Sequence, residues 1–163
     1  MSTFDNIFMQ EAIKLAKQAA QADEVPVGAV IAHQNKVVAR AHNQVETLKD
    51  PTAHAEMLAI TQASEAVGDW RLNECTLYVT KEPCTMCAGA IVHARLDRVV
   101  FGVADPKAGG AGGVLNLLQF PSFNHRSEIT FGVREAECRS VLQSFFQERR
   151  AKENGHPASD APV

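Results

Sequence analysis

Apolar residues recur along the first part of the chain at steps of three and four. Phe4, Phe8, Ala12, Leu15 and Ala19 fall on one face, which predicts an amphipathic helix over about 4–21. The period then changes. "EVPVGAVIAHQNKVVARAHN" reads as two strands, about 26–33 and 36–42, with "HQNK" as the turn between them. "QVETLKDP" reads as loop. "DPTAHAEMLAITQASEA" predicts a helix capped by Asp50 or Thr52, with Pro51 where an amide is not needed and Gly68 as its stop.

The second half alternates. "CTLYVT" (75–80) is a strand, and "PCTMCAGAIVHARL" is a helix opened by Pro83 and closed near Leu96. "DRVVFGV" (97–103) is a strand again. Strand, helix, strand in that order implies a right-handed parallel crossover. "ADPKAGGAGG" (104–113) is a glycine-rich loop that can approach a ligand closely, and it lacks the Gly-Lys-Ser/Thr ending of a phosphate-binding P-loop. "VLNLLQF" predicts a short helix and "SEITFGV" a last strand. "EAECRSVLQSFFQERRAKE" predicts a terminal helix with Cys138, Val141, Leu142 and Phe145 on one face. The expected architecture is one α/β domain over residues 1–153, a mixed five-stranded sheet with helices on both faces. Residues 154–163, polar and proline-bearing, read as a disordered tail.

Composition narrows the function. A chain of 163 residues suits one domain. It has no run of apolar residues long enough to span a bilayer, and its N-terminus lacks the basic head of a signal peptide. A cytoplasmic location is the expectation. The net charge of −3 excludes a global basic field, so a nucleic-acid partner must be held by a local patch. Of the four cysteines, Cys75 and Cys138 sit in apolar patterns and read as buried small hydrophobes.

Cys84 and Cys87 need another explanation. Each of two helix starts carries metal-binding side chains: His54 at one, Cys84 and Cys87 at the other. Free amides and the positive dipole end at a helix start favour thiolate over thiol. Zinc takes such ligands in a tetrahedron, four in structural sites and three in catalytic ones. No fourth Cys or His stands at motif spacing, which argues for an open position and chemistry. Glu56, two residues after His54, is placed to act as general base and then general acid. Cys-x-x-C alone also fits thiol–disulfide exchange, but that reading leaves His54 and Glu56 unused. If adjacent parallel strands feed the two helices, their N-termini converge at one sheet edge.

The His-x-Glu and Pro-Cys-x-x-Cys pair resembles the zinc-dependent nucleobase deaminases. "EVPVGAV", "DPTAHAE", "TLYVTKEPCTMCAGAIVHAR", "RVVFG", "DPKAG", "NHR" and "SFFQERR" extend the likeness over about 4–152, toward the bacterial tRNA-specific adenosine deaminases of the cytidine/deoxycytidylate deaminase superfamily. The resemblance implies a three-layer α/β/α cytidine-deaminase-like fold and hydrolytic conversion of adenosine to inosine at the wobble position of a tRNA anticodon. It implies one zinc per subunit on His54, Cys84 and Cys87, with Glu56 shuttling protons, and a homodimer with each pocket completed near the subunit boundary. Asn43 matches a contact to the flipped nucleoside and Val27 an apolar wall of the base pocket. Asp105 and Lys107 match a loop handling the anticodon ribose and backbone, and Phe145, Phe146 and Arg149 an RNA-facing helix.

Taken by themselves these residues have other readings. Asn43 also suits the close of a strand, and Asp105 a loop cap before Pro106. Phe145 fits a core stripe better than a stacking platform, and Phe146 is the better platform. Arg149 reads by default as part of a solvated helix tail, which could also hold phosphate. Lys81 and Ala104 depart from what the family often carries at these positions, which bears on RNA contacts in the loops. A free-base deaminase and a non-catalytic, zinc-stabilised RNA-binding module remain as alternatives. The RNA-facing helix speaks against the first and Glu56 against the second.

Overall fold

The structure is a computed structural model that describes residues 2–155. It contains ten elements: α1 (Thr3–Gln21), β1 (Gly28–His33), β2 (Lys36–His42), α2 (Val45–Leu48), α3 (Ala55–Val67), β3 (Cys75–Lys81), α4 (Thr85–Ala94), β4 (Arg98–Val103), β5 (Glu128–Phe131) and α5 (Glu135–Asn154). The tail expected at the C-terminus lies largely outside the described residues, although α5 itself runs on to Asn154.

The sheet is mixed and has the order β2-β1-β3-β4-β5. β1 is antiparallel to both β2 and β3, and β3, β4 and β5 are parallel. The hairpin closes at Gln34 and Asn35, both with positive φ, as a two-residue turn that matches strand twist requires. Successive strand residues face opposite sides. Ala29, Ile31, Leu77, Val79, Val99 and Phe101 pack with α3 and α4. Val30, Ala32, Tyr78 and Val100 pack with α1 and α5. The result is the three-layer α/β/α fold. On α3 the fully buried residues Ala55, Ala59 and Ala63 recur every fourth position, a stripe small enough to let the helix lie close against the sheet.

Between the strands and α1, Asp5 is buried and takes both guanidinium nitrogens of Arg98 at 2.8 Å, with the Tyr78 hydroxyl donating at 3.2 Å. This fixes the start of α1 to β3 and β4.

Three local expectations are corrected. "VETL" is a helical turn, α2, because Glu24 reaches in from outside to accept from the Glu46 and Thr47 amides. "VLNLLQF" is not a helix. Its backbone bonds across to the glycine-rich segment, Gly112 to Leu115 and Leu117 to Gly110, with a bridge between Ala111 and Asn116. The first catalytic-side helix starts later than expected. Asp50 caps a turn by accepting from the Thr52 amide and hydroxyl, so α3 begins at Ala55 with His54 as its N-cap.

Candidate active site

The strands that lead to α3 and α4 are β2 and β3, and β1 lies between them rather than the two being adjacent. Two antiparallel steps leave β2 and β3 pointing the same way. The helix starts therefore still converge at one edge of the sheet. His54 is the N-cap of α3 and Cys84 the N-cap of α4, and neither side chain caps its own helix. Cys87 follows in the first turn of α4.

The three side chains meet. Cys84 Sγ and Cys87 Sγ each lie 3.5 Å from His54 Nδ1, and all three ligand atoms fall within 4.8 Å of one another. Zinc–sulfur and zinc–nitrogen bonds at tetrahedral angles put sulfur and nitrogen about 3.6 Å apart. The donor set and its spacing therefore fit a zinc ion.

Glu56, in the first turn of α3, is buried beside them. Burial raises its carboxyl to about 7, and the Cys84 charge acts in the same direction. The two sulfurs divide. A hydrogen bond from Cys87, with His54 close by, lowers Cys84 to about 4. The same hydrogen bond and burial push Cys87 upward. His54 is raised, first by its hydrogen bond to Cys84. Both helix N-termini add positive potential at this point.

A cavity of about 310 Å³ opens onto His54, Glu56 and Cys84. Val27 and Asn43 line it. Asn43 is only 7% exposed and its backbone amide is fixed on Val27 O, so its side-chain amide borders the cavity from a rigid base. Asp105 and Arg149 line it as well. Asp105 is also a loop cap: Oδ1 accepts from the Lys107 and Ala108 amides at 3.0 and 3.2 Å, and Oδ2 meets Lys81 Nζ at 3.2 Å. Lys107 is exposed and outside the cavity lining. Phe145 is buried, as a core stripe requires, and carries the Arg149 guanidinium 5.2 Å from its ring centre. Phe146 is 38% exposed and opens onto a separate groove with Arg150.

Residues 4–150 match the model of the MafB19-like deaminases. The tRNA-specific adenosine deaminase of Bacillus subtilis is 53% identical over 150 residues, covering 92% of this chain and 93% of its own. The chain belongs to the tRNA-specific adenosine deaminases. The Aquifex aeolicus member is 45% identical, covering 88% of this deaminase and 94% of its own chain. A solved structure from work on A-to-I editing by tRNA:A34 deaminases at the wobble position superposes with a TM-score of 0.81 at 42% identity, covering 83% of this deaminase and 99% of that chain. A guanine deaminase from Nitrosomonas europaea, 19% identical with a TM-score of 0.74, shares the fold.

Two carboxylates that sequence reasoning missed hold the cavity of this deaminase in shape. Glu82, next to Pro83 and 4% exposed, accepts from the Asp105 amide at 2.9 Å, the Ala111 amide at 3.0 Å and the Gly113 amide at 2.9 Å. It gathers the glycine-rich loop around itself. A Cβ at Gly109 would collide with its carboxylate, and one at Gly113 with Asp105 O, so both positions need glycine for close approach. Glu24, fully buried, caps α2 and so sets the wall that carries Val45 and Glu46. Neither has a local signal. Each is a single glutamate whose partners lie more than twenty residues away.

Proposed function

We propose that this chain deaminates adenosine to inosine at the wobble position of a transfer RNA anticodon, using water and releasing ammonia. The reading rests on one observation above the rest: His54, Cys84 and Cys87 converge beside buried Glu56 at the floor of a cavity large enough for one nucleoside. The identity to enzymes named for this reaction supports the substrate.

His54, Cys84 and Cys87 would hold zinc. A zinc ion bound there supplies the Lewis acidity that brings the ionisation of a water close to neutral pH. Glu56, sheltered from solvent, takes a proton from the attacking water and passes one to the leaving nitrogen, which departs as ammonia. Val27 gives the extruded base an apolar wall. Asn43 offers both a donor and an acceptor to the purine edge. Asp105 keeps acceptor capacity for a ribose hydroxyl, the group that separates RNA from DNA. Phe146 and Arg149 provide stacking and charge for the neighbouring loop nucleotides, and Lys107 a backbone contact outside the cavity. Buried Phe145 supports Arg149 and does not itself stack on a base. We take residues 1–153 as one deaminase domain acting as a homodimer in the cytoplasm.

The test is to incubate zinc-loaded protein with total tRNA and to assay inosine by nucleoside mass spectrometry, with free guanine and cytosine in parallel. Inosine at the wobble position that is lost on chelation and restored by zinc is expected. Turnover of a free base with tRNA untouched would replace this reading with a small-molecule deaminase.

A further inference from the structure

Six carboxylates line the cavity against two permanent cations, Lys81 and Arg149. A nucleic-acid strand is a polyanion, and bringing its phosphates to such a mouth is unfavourable unless a cation is placed to receive one. Arg149 belongs to α5 and is already stacked on Phe145. Lys81 is different. It is the last residue of β3, in register with Val103 at the end of β4, and three positions before Cys84. Its backbone is thus fixed by the sheet, at the carboxyl ends of parallel strands where ligands of open α/β sheets bind.

Its side chain is held as well. Lys81 Nζ lies 3.2 Å from Asp105 Oδ2, while Asp105 Oδ1 is pinned by two backbone amides. A lysine tethered to a rigid acceptor has less rotamer entropy left to lose when it binds a second group. The ammonium has three donors, and Asp105 is its one ion-pair partner among the described residues. The Lys81 side chain is 33% exposed, so a second acceptor can reach it from solvent.

We propose that Lys81 is a specificity-determining residue: its ammonium, positioned by Asp105 at the cavity mouth, binds a phosphate oxygen of the substrate strand. This rests on the RNA reading above and narrows it. A phosphodiester-bearing strand gains the contact and a free base or nucleoside does not. Asp105 acts here as a positioning residue for the lysine, and the paired charge reduces its own repulsion of the strand.

The experiment measures binding of a fluorescein-labelled anticodon stem–loop RNA to zinc-loaded protein by anisotropy, across a salt series. Wild type, Lys81→Met, Lys81→Arg and Asp105→Asn are compared, with zinc content and melting temperature recorded for each. For Lys81→Met the dissociation constant should rise about three- to tenfold near physiological salt. The slope of log affinity against log salt should become shallower by about 0.7, one phosphate contact on a single strand. Lys81→Arg should restore both. An unchanged salt slope in Lys81→Met overturns the proposal whatever happens to affinity. A slope unchanged in both Lys81→Met and Asp105→Asn, with equal losses of affinity, would make the pair a loop latch only. Failure of wild type to bind the RNA would remove both this inference and the RNA reading. Binding with the expected slope but no inosine would remove the proposed reaction and leave the phosphate contact standing.

Discussion

Replacing Glu82 by glutamine tests whether the negative charge, and not merely the shape, of this side chain organises the site. Three backbone amides converge on its carboxylate at 2.9 to 3.0 Å in a position only 4% exposed. Hydrogen bonds to a charged group contribute roughly 1.5–3 kcal/mol each, about twice the neutral value. Glutamine keeps one acceptor oxygen and turns the other into a donor. If the oxygen stays on the two-amide side, the Asp105 amide faces an NH2 group and the other two bonds lose their charge. A loss of about 2–4 kcal/mol follows for the loop. Because the loop can open without global unfolding, the effect belongs first in amide exchange. The Asp105, Ala111 and Gly113 amides should exchange roughly 30- to 900-fold faster than in wild type, the same free energy expressed as a ratio. Zinc content should stay near one per chain, while turnover on tRNA falls because Asp105 and Lys81 lose their fixed positions. Unchanged protection of those three amides in Glu82→Gln would refute the argument, since the carboxylate would then be no more than filler.

Three further outcomes are expected. Glu56→Ala should keep zinc and fold but lower kcat by at least about 10²–10⁴, the usual contribution of a general acid–base group, and retained deamination with stoichiometric zinc would reject its role. Asn43→Ala should lower kcat/KM on tRNA by about 10- to 100-fold, the loss of one or two hydrogen bonds to substrate, with little change in melting temperature, and unchanged kcat/KM would remove it from the pocket. Asp5 is lowered from 3.8 to about 2, chiefly by its hydrogen bonds from Arg98. A depressed carboxyl contributes stability above its unfolded value and loses it as pH falls through the folded one. The shift corresponds to about 2 kcal/mol, present at pH 7 and lost between about pH 4 and pH 2. Urea titrations at several pH values should show this loss in wild type and not in Asp5→Asn, and parallel pH profiles would contradict it.

The parts of the site that depend on residue type and short spacing were legible in the chain. His54, Glu56, Cys84 and Cys87 announce themselves because few roles other than metal chemistry need those groups at helix starts. The strands were legible too, since Val30 and Ile31 or Tyr78 and Val79 must alternate between two cores. What was not legible is set by distant partners. Four residues of helix at Val45–Leu48 have no amphipathic signature and exist because Glu24 caps them. The apolar run at Val114–Leu118 has a helical look, yet only Leu118 is buried there outright, and the segment folds back on glycine backbone. The later start of α3 depends on Asp50 choosing a turn over a cap. It leaves His54 in extended backbone, with φ −73 and ψ 151, where its ring can reach the sulfurs.

The crowding of Glu82 against Gly109 and Gly113 divides the glycine-rich loop into two kinds of position. Gly109 and Gly113 admit no side chain, so a substitution at either one disrupts the loop before it can alter what the enzyme accepts. Ala104, Pro106, Lys107 and Ala108 are exposed and form the loop's outer rim. Within this loop, a change in what the enzyme accepts is therefore left to the exposed rim, carried on a hub in which two glycines cannot be replaced.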